Sequence, residues 1–245
     1  ELLGGERGEY IVHPNEHVNM SQSDDAYHTV IRLCIILSVP ELLTSMGAAV
    51  NTLHEKSVEF AHIIKMGRTM MQDAVPVTMG REFHAYAQQL EDDWVFVKDS
   101  CGPLHECLLG GTTLGTGLGA DARFAGKALA HLQQVTQLDF ETPRDLVKAA
   151  TDMNSVLGFS SGLRRTAVRI SKICNDLRLM TSGPRCGLKE IDLAEMQPGS
   201  SIMPGKVNPV IPEAMNMVCY QVIGNDTAVT MAAEGAQLNS CIFDT

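Results

Sequence analysis

Most of the chemistry this chain can offer is gathered in one stretch, Gly199-Ser200-Ser201-Ile202-Met203-Pro204-Gly205-Lys206-Val207-Asn208-Pro209. Hydroxyls, glycines, a cation and an amide between two prolines make a loop rather than a buried element. Glycine lets backbone N–H groups approach a ligand, and Lys206 and Asn208 can both donate hydrogen bonds to a carboxylate. A small anion is the guest such a loop suits. Ser200 or Ser201 can act on that guest, because a serine gives up its proton only where N–H donors and a nearby cation stabilise the oxyanion. A flexible connector with an exposed lysine is the plain alternative, and the ordered Met-Pro-Gly-Lys-Val-Asn-Pro that follows argues against it.

The elements that must position this loop read as helices. Apolar residues at Val30, Leu33, Cys34 and Leu37 recur at helical spacing from about residue 25, and Pro40 is expected to end or kink that helix. A second helix is expected over 41–64, a loop over 65–76, and a third helix over 79–107 with Gly110-Gly111 as its stop. The glycine-rich 112–119 lacks the Lys-Ser/Thr ending of a nucleotide-phosphate loop and reads as a turn between helices. Further helices are expected over 124–135, from Pro143 to about Thr181 with Ser182-Gly183-Pro184 closing it, and from Pro209 or Pro212 to about Gly235. No segment shows the alternating β-branched pattern of a sheet, so the fold class is all-α, a long-helix bundle. Residues 1–24 form a turn-rich opening segment, and 25–245 form the helical domain that carries the loop.

Composition narrows the function. The chain has 245 residues, 44% hydrophobic and 20% charged, and 29 acidic against 19 basic side chains leave a net charge of −10. That balance argues against nucleic acid or an anionic membrane surface as the partner. Seven cysteines, spread among apolar neighbours, read as reduced thiols of a cytoplasmic protein, and no apolar run long enough to cross a bilayer stands out. The eight histidines show no zinc spacing. Arg164, Arg165, Arg169 and Lys172 make a basic helical face, suited to salt bridges within an oligomer rather than to a regulatory anion site.

The loop at 199–209 resembles the signature of the fumarase/aspartase superfamily, and 210–237 is more similar to its aspartate ammonia-lyase branch than to its fumarases. The resemblance returns at 13–23, 65–69, 72–76 and 171–178, so it covers nearly the whole chain. It implies the central helical domain of a homotetramer, with the family's smaller N- and C-terminal domains outside this sequence. It also implies elimination of ammonia from L-aspartate to give fumarate, without an organic cofactor. Fumarate hydration, or a scaffold that has lost its activity, are the alternatives. By the same resemblance Ser200 is the base, and Ser23, Thr69, Lys206 and Asn208 bind substrate, with Ser201 and Glu213 in support. Two positions depart from the family. Asp24-Asp25 stands where three residues are expected, so a substrate-binding Thr-Asn pair is replaced by one acidic residue. Met70 occupies the position of a histidine or glutamine and cannot donate a hydrogen bond, which leaves Glu213 without the histidine it matches.

Overall fold

A computed structural model describes residues 4–6, 11–13, 17, 25–197, 199, 202–241 and 243. Its main elements are helices: α1 (Asp25–Glu59), α2 (Met79–Ser100), α3 (Phe124–Thr136), the single-turn α4 (Leu146–Ala149), α5 (Asn154–Met180) and α6 (Val210–Glu234). One antiparallel hairpin, β1 (Ile64–Thr69) and β2 (Gln72–Thr78), joins α1 to α2. The all-α class stands, with the loop expected over 65–76 replaced by this hairpin.

Three features also differ from expectation. Helix α1 is continuous through Pro40, with Ile36 and Val39 buried before it and Met46 and Val50 buried after it. An interior proline costs about 3 kcal/mol, and a buried aliphatic side chain returns roughly 1.5–3 kcal/mol, so the helix survives the break. Helix α5 begins at Asn154 rather than near Pro143. Asp145 caps the short α4 by accepting from the N–H groups of Val147 (2.8 Å) and Lys148 (3.1 Å), and Asp152 then accepts from Asn154 N–H at 2.9 Å, dividing what reads as one helix. Finally, α1 does contain a stretch long and apolar enough to cross a membrane by length and composition. Arg32 and Glu41 interrupt the run and hide it from inspection. The Arg32 guanidinium is buried and donates to the carbonyls of His28 (3.0 Å) and Asp152 (3.4 Å), so this part of α1 packs against protein.

The chain divides into two compact units. The first contains Glu1–Pro40, Ser100–Phe159 and Val229–Thr245; the second contains Glu41–Asp99 and Ser160–Ala228. In the first, Leu104, Cys107, Leu108 and Phe140 are buried, and Cys107 N–H donates to Glu141 O at 2.8 Å. Asp25, fully buried, accepts from the N–H groups of Gly110 (2.9 Å) and Thr112 (3.3 Å). The glycine-rich turn therefore anchors the start of α1. A side chain at Gly110 is barred, since its Cβ would meet that of Ala125 at 2.3 Å.

In the second unit, Met79, Phe83, Tyr86, Ile173 and Met180 form the core, with Leu53, Phe60, Leu177 and Ile191 against it. Gly80 lets α2 start against the end of α1: its N–H donates to Phe60 O at 3.0 Å, and a Cβ there would lie 2.3 Å from Ser57 O. Gly80→Ala is expected to destabilise the protein by about 3 kcal/mol, roughly 6–12 °C in Tm, because backbone must move to admit the methyl group. Calorimetry of the variant checks this, and an unchanged Tm would show that the contact relaxes freely.

Candidate functional site

The loop turns back on itself before entering α6. Lys206 N–H donates to Met203 O at 3.2 Å, and Gly205 holds φ +81°, a left-handed conformation that favours glycine. Gly199 lies so close to the returning strand that a Cβ would meet Lys206 O at 2.5 Å. Asn208 O then accepts from Val210 N–H at 2.9 Å and Pro209 O from Glu213 N–H at 3.1 Å, closing the first turn of α6. Ser200 and Ser201, as well as Ser23 and Asp24, lie outside the described residues.

Lys206 and Asn208 line one cleft of about 490 Å³ together with Arg178, Lys189, Asp192 and Glu213. Its far wall is the last turn of α5 and the 181–184 turn. Lys189 is paired with Asp192. Arg178 meets Glu213 at 3.7 Å. Lys206 is exposed and has no ion-pair partner among the described residues. Three cations against two carboxylates leave the cleft locally positive in a chain of net charge −10, which favours a small anion. Glu213 thus keeps an ionic partner. It is Arg178, a residue of the 171–178 match to which the sequence reading gave no role.

Thr69 is not brought into this cleft. It ends β1, is exposed, and pairs with Gln72 across a turn formed by Met70 (φ 52°) and Met71 (φ 63°). Two successive left-handed residues match a two-residue hairpin turn that prefers Asn and Gly, and Met70 is 96% exposed at its tip. Within one chain, therefore, Thr69 does not line the cleft that holds Lys206.

The base of the hairpin is fastened by charge. Lys65 Nζ lies 2.7 Å from Glu82 and 2.8 Å from Glu190, and Arg68 meets Glu190 at 2.5 Å. These groups line a second cleft of about 530 Å³, where Tyr86 donates to Asp176 at 2.6 Å. Burial raises the Tyr86 pKa and the Asp176 carboxylate raises it further, so the phenol stays protonated. Burial pushes the Glu190 carboxyl up, but hydrogen bonds from Lys65 and Arg68 outweigh it and hold its pKa below its ordinary value. A depressed carboxylate stabilises the fold above its unfolded pKa and loses that contribution as pH falls through the folded value. Stability is therefore expected to fall below about pH 4.5, with a flatter dependence in Glu190→Gln. Urea titrations at stepped pH read this, and identical slopes for both proteins would contradict it.

The basic face of α5 forms its salt bridges within the chain. Arg165 (2.6 Å) and Arg169 both pair with the fully buried Asp93, Arg164 with Asp226 (2.9 Å), and Lys172 with Asp176. All seven cysteines are free, and burial with Cys219 nearby pushes the Cys174 thiol up to about 11, unsuited to nucleophilic work. No cluster of metal-ligating side chains occurs among the described residues.

Fold and cleft together define a long-helix protein whose principal loop brings Lys206 and Asn208 to one positively lined cleft. Residues 1–224 match the model of a lyase family, and the chain belongs to that family, the fumarase/aspartase superfamily. It is 52% identical to an aspartate ammonia-lyase of Pseudomonas fluorescens, across the whole chain and 52% of the relative. Among solved structures, a fumarate lyase:delta crystallin from Brucella melitensis bound to cobalt matches with a TM-score of 0.95 at 48% identity, covering 99% of this chain and 53% of that one. A class II fumarase from Schistosoma mansoni matches with a TM-score of 0.94 at 35% identity, covering 99% of this chain and 54% of that one. The chain spans about half the length of the relatives it matches.

Proposed function

We propose that this chain carries the reaction loop of an aspartate ammonia-lyase, a carbon-nitrogen lyase converting L-aspartate to fumarate and ammonia. The observation that carries the reading is Lys206, without an ionic partner among the described residues, beside Asn208 in a positive cleft, on a chain 52% identical to an aspartate ammonia-lyase. In this reading the Ser200 alkoxide takes a proton from C3, the carboxylate next to C3 becomes a dianionic aci-carboxylate, and Lys206 and Asn208 bear the added charge. The electron pair then forms the C2–C3 double bond as the C2–N bond breaks and ammonia leaves. Ser23 and Thr69 grip the substrate, Ser201 donates to it, and Glu213 supports the start of α6.

Thr69 does not line the cleft of Lys206 within one chain, so the reading has another copy supply it, and a homotetramer is the assembly proposed. Exposed apolar residues on α6 (Ile211, Met215, Val218) and on α1 (Val30, Leu37) support burial against further copies. The free thiols suit a cytoplasmic location. Fumarate hydration is the second reading, favoured by the likeness to the Schistosoma fumarase. Met70, fully exposed and without a donor, favours a scaffold that has lost activity. Product analysis of the full-length protein separates the three. Fumarate and ammonia in equal amounts from L-aspartate are expected; fumarate from L-malate alone, or from neither, overturns the assignment.

A further inference from the structure

Arg178 ends α5, Glu213 opens α6, and their contact at 3.7 Å belongs to a larger clasp. Arg178 Nη1 donates to Asn175 Oδ1 at 3.2 Å, and the same oxygen accepts from Asn216 Nδ2 at 2.7 Å. Asn216 is buried, and its Nδ2 also lies 3.3 Å from Ser171 Oγ. Asn175 and Arg178 are one turn apart on α5, as are Glu213 and Asn216 on α6, so each pair shares a helix face. Four side chains thus tie one turn of α5 to the first turns of α6.

The clasp sits where it governs the loop. Lys206 to Asn208 run directly into α6, and Lys206, Asn208, Arg178 and Glu213 line the same cleft. Arg178 and Glu213 side chains are 39% and 42% exposed, and an ion pair that wet contributes little to stability. A small shift at the start of α6, by contrast, moves the carboxylate-binding donors themselves, and misplacement by about 1 Å can cost 10²-fold in rate. We propose that Arg178 is a positioning residue for Lys206 and Asn208, acting through Glu213 and Asn175. The proposal rests on the lyase reading for the identity of the ligand and on the clasp for its geometry.

The test uses the full-length protein with Arg178→Met, Arg178→Lys, Glu213→Gln and the Arg178→Met/Glu213→Gln double variant. Arg178→Met is expected to raise both KM for L-aspartate and the inhibition constant of succinate about tenfold, with Arg178→Lys recovering part of the loss. The double variant should bind no worse than Arg178→Met alone, because both changes open one clasp. A purely structural defect would lower kcat through the folded fraction and leave both constants unchanged, and that result overturns the proposal. Losses that multiply in the double variant also overturn it. Should Arg178→Met fail to fold, Glu213→Gln and Arg178→Lys carry the same expectation, and wild-type constants in both overturn it. If the wild type releases no fumarate from aspartate, the lyase reading falls separately. Succinate calorimetry then decides: tenfold weaker binding by Arg178→Met supports the clasp, while equal binding, or none by the wild type, overturns it.

Discussion

In the full-length protein, Ser200→Ala is expected to lower kcat for ammonia release from L-aspartate about 10³-fold while KM stays within about threefold of wild type. The hydrogen at C3 is barely acidic, so its removal needs both a base at that carbon and donors for the charge that appears on the neighbouring carboxylate. Alanine removes the base and leaves the donors. Binding therefore persists while the chemical step stalls, the pattern of an interaction made only in the transition state. Ser201→Ala, which removes a donor, should lose less. A Ser200→Ala enzyme within tenfold of wild-type kcat would move the base elsewhere on the chain.

Lys206→Met is expected to reduce kcat/KM for L-aspartate about 10³-fold, with losses in both parameters. Lys206 is the cation of its cleft without an ionic partner among the described residues, whereas Lys189 and Arg178 face Asp192 and Glu213. The substrate carboxylate gains a full negative charge on the way to the aci form, so an unpaired ammonium beside it grows in value as the reaction proceeds. Lys206→Arg should restore part of the loss, since the charge returns but the planar fork places its donors differently. Steady-state kinetics of the three proteins read this, and a Lys206→Met enzyme with wild-type kcat/KM would remove the lysine from the site.

The parts of this arrangement that are local in sequence were legible there, and those that depend on distant partners were not. The loop at 199–209 declares its chemistry because its donors are adjacent, and α3 and α6 follow their apolar periodicity to within a residue or two of their ends. Pro40 reads as a break because a single residue cannot show the buried neighbours on both sides that keep α1 intact. The hairpin at 64–78 escapes notice for another reason: Gly67 and Pro76 interrupt its alternation, and its Met70-Met71 turn lacks the usual Asn-Gly signal. Charge pairing is the least visible of all. Arg68 and Glu190 are 122 residues apart, and Asp93 with Arg169 76 residues apart, so the sequence shows a basic face but not the carboxylates that pair with it. Arg178 had a signal, since it closes the 171–178 motif, yet its link to Glu213 appears only once α5 and α6 lie side by side.

A nitronate reproduces the planar, doubly charged aci-carboxylate without going on to products. Binding of the nitronate of 3-nitropropionate to the full-length protein, set against binding of succinate, therefore asks whether the cleft is built for the intermediate rather than for the substrate. The nitronate is expected to bind at least about 10²-fold more tightly than succinate, with most of that preference gone in Lys206→Met. Equal affinity for the two ligands in the wild type would contradict a site that stabilises charge developing beside C3.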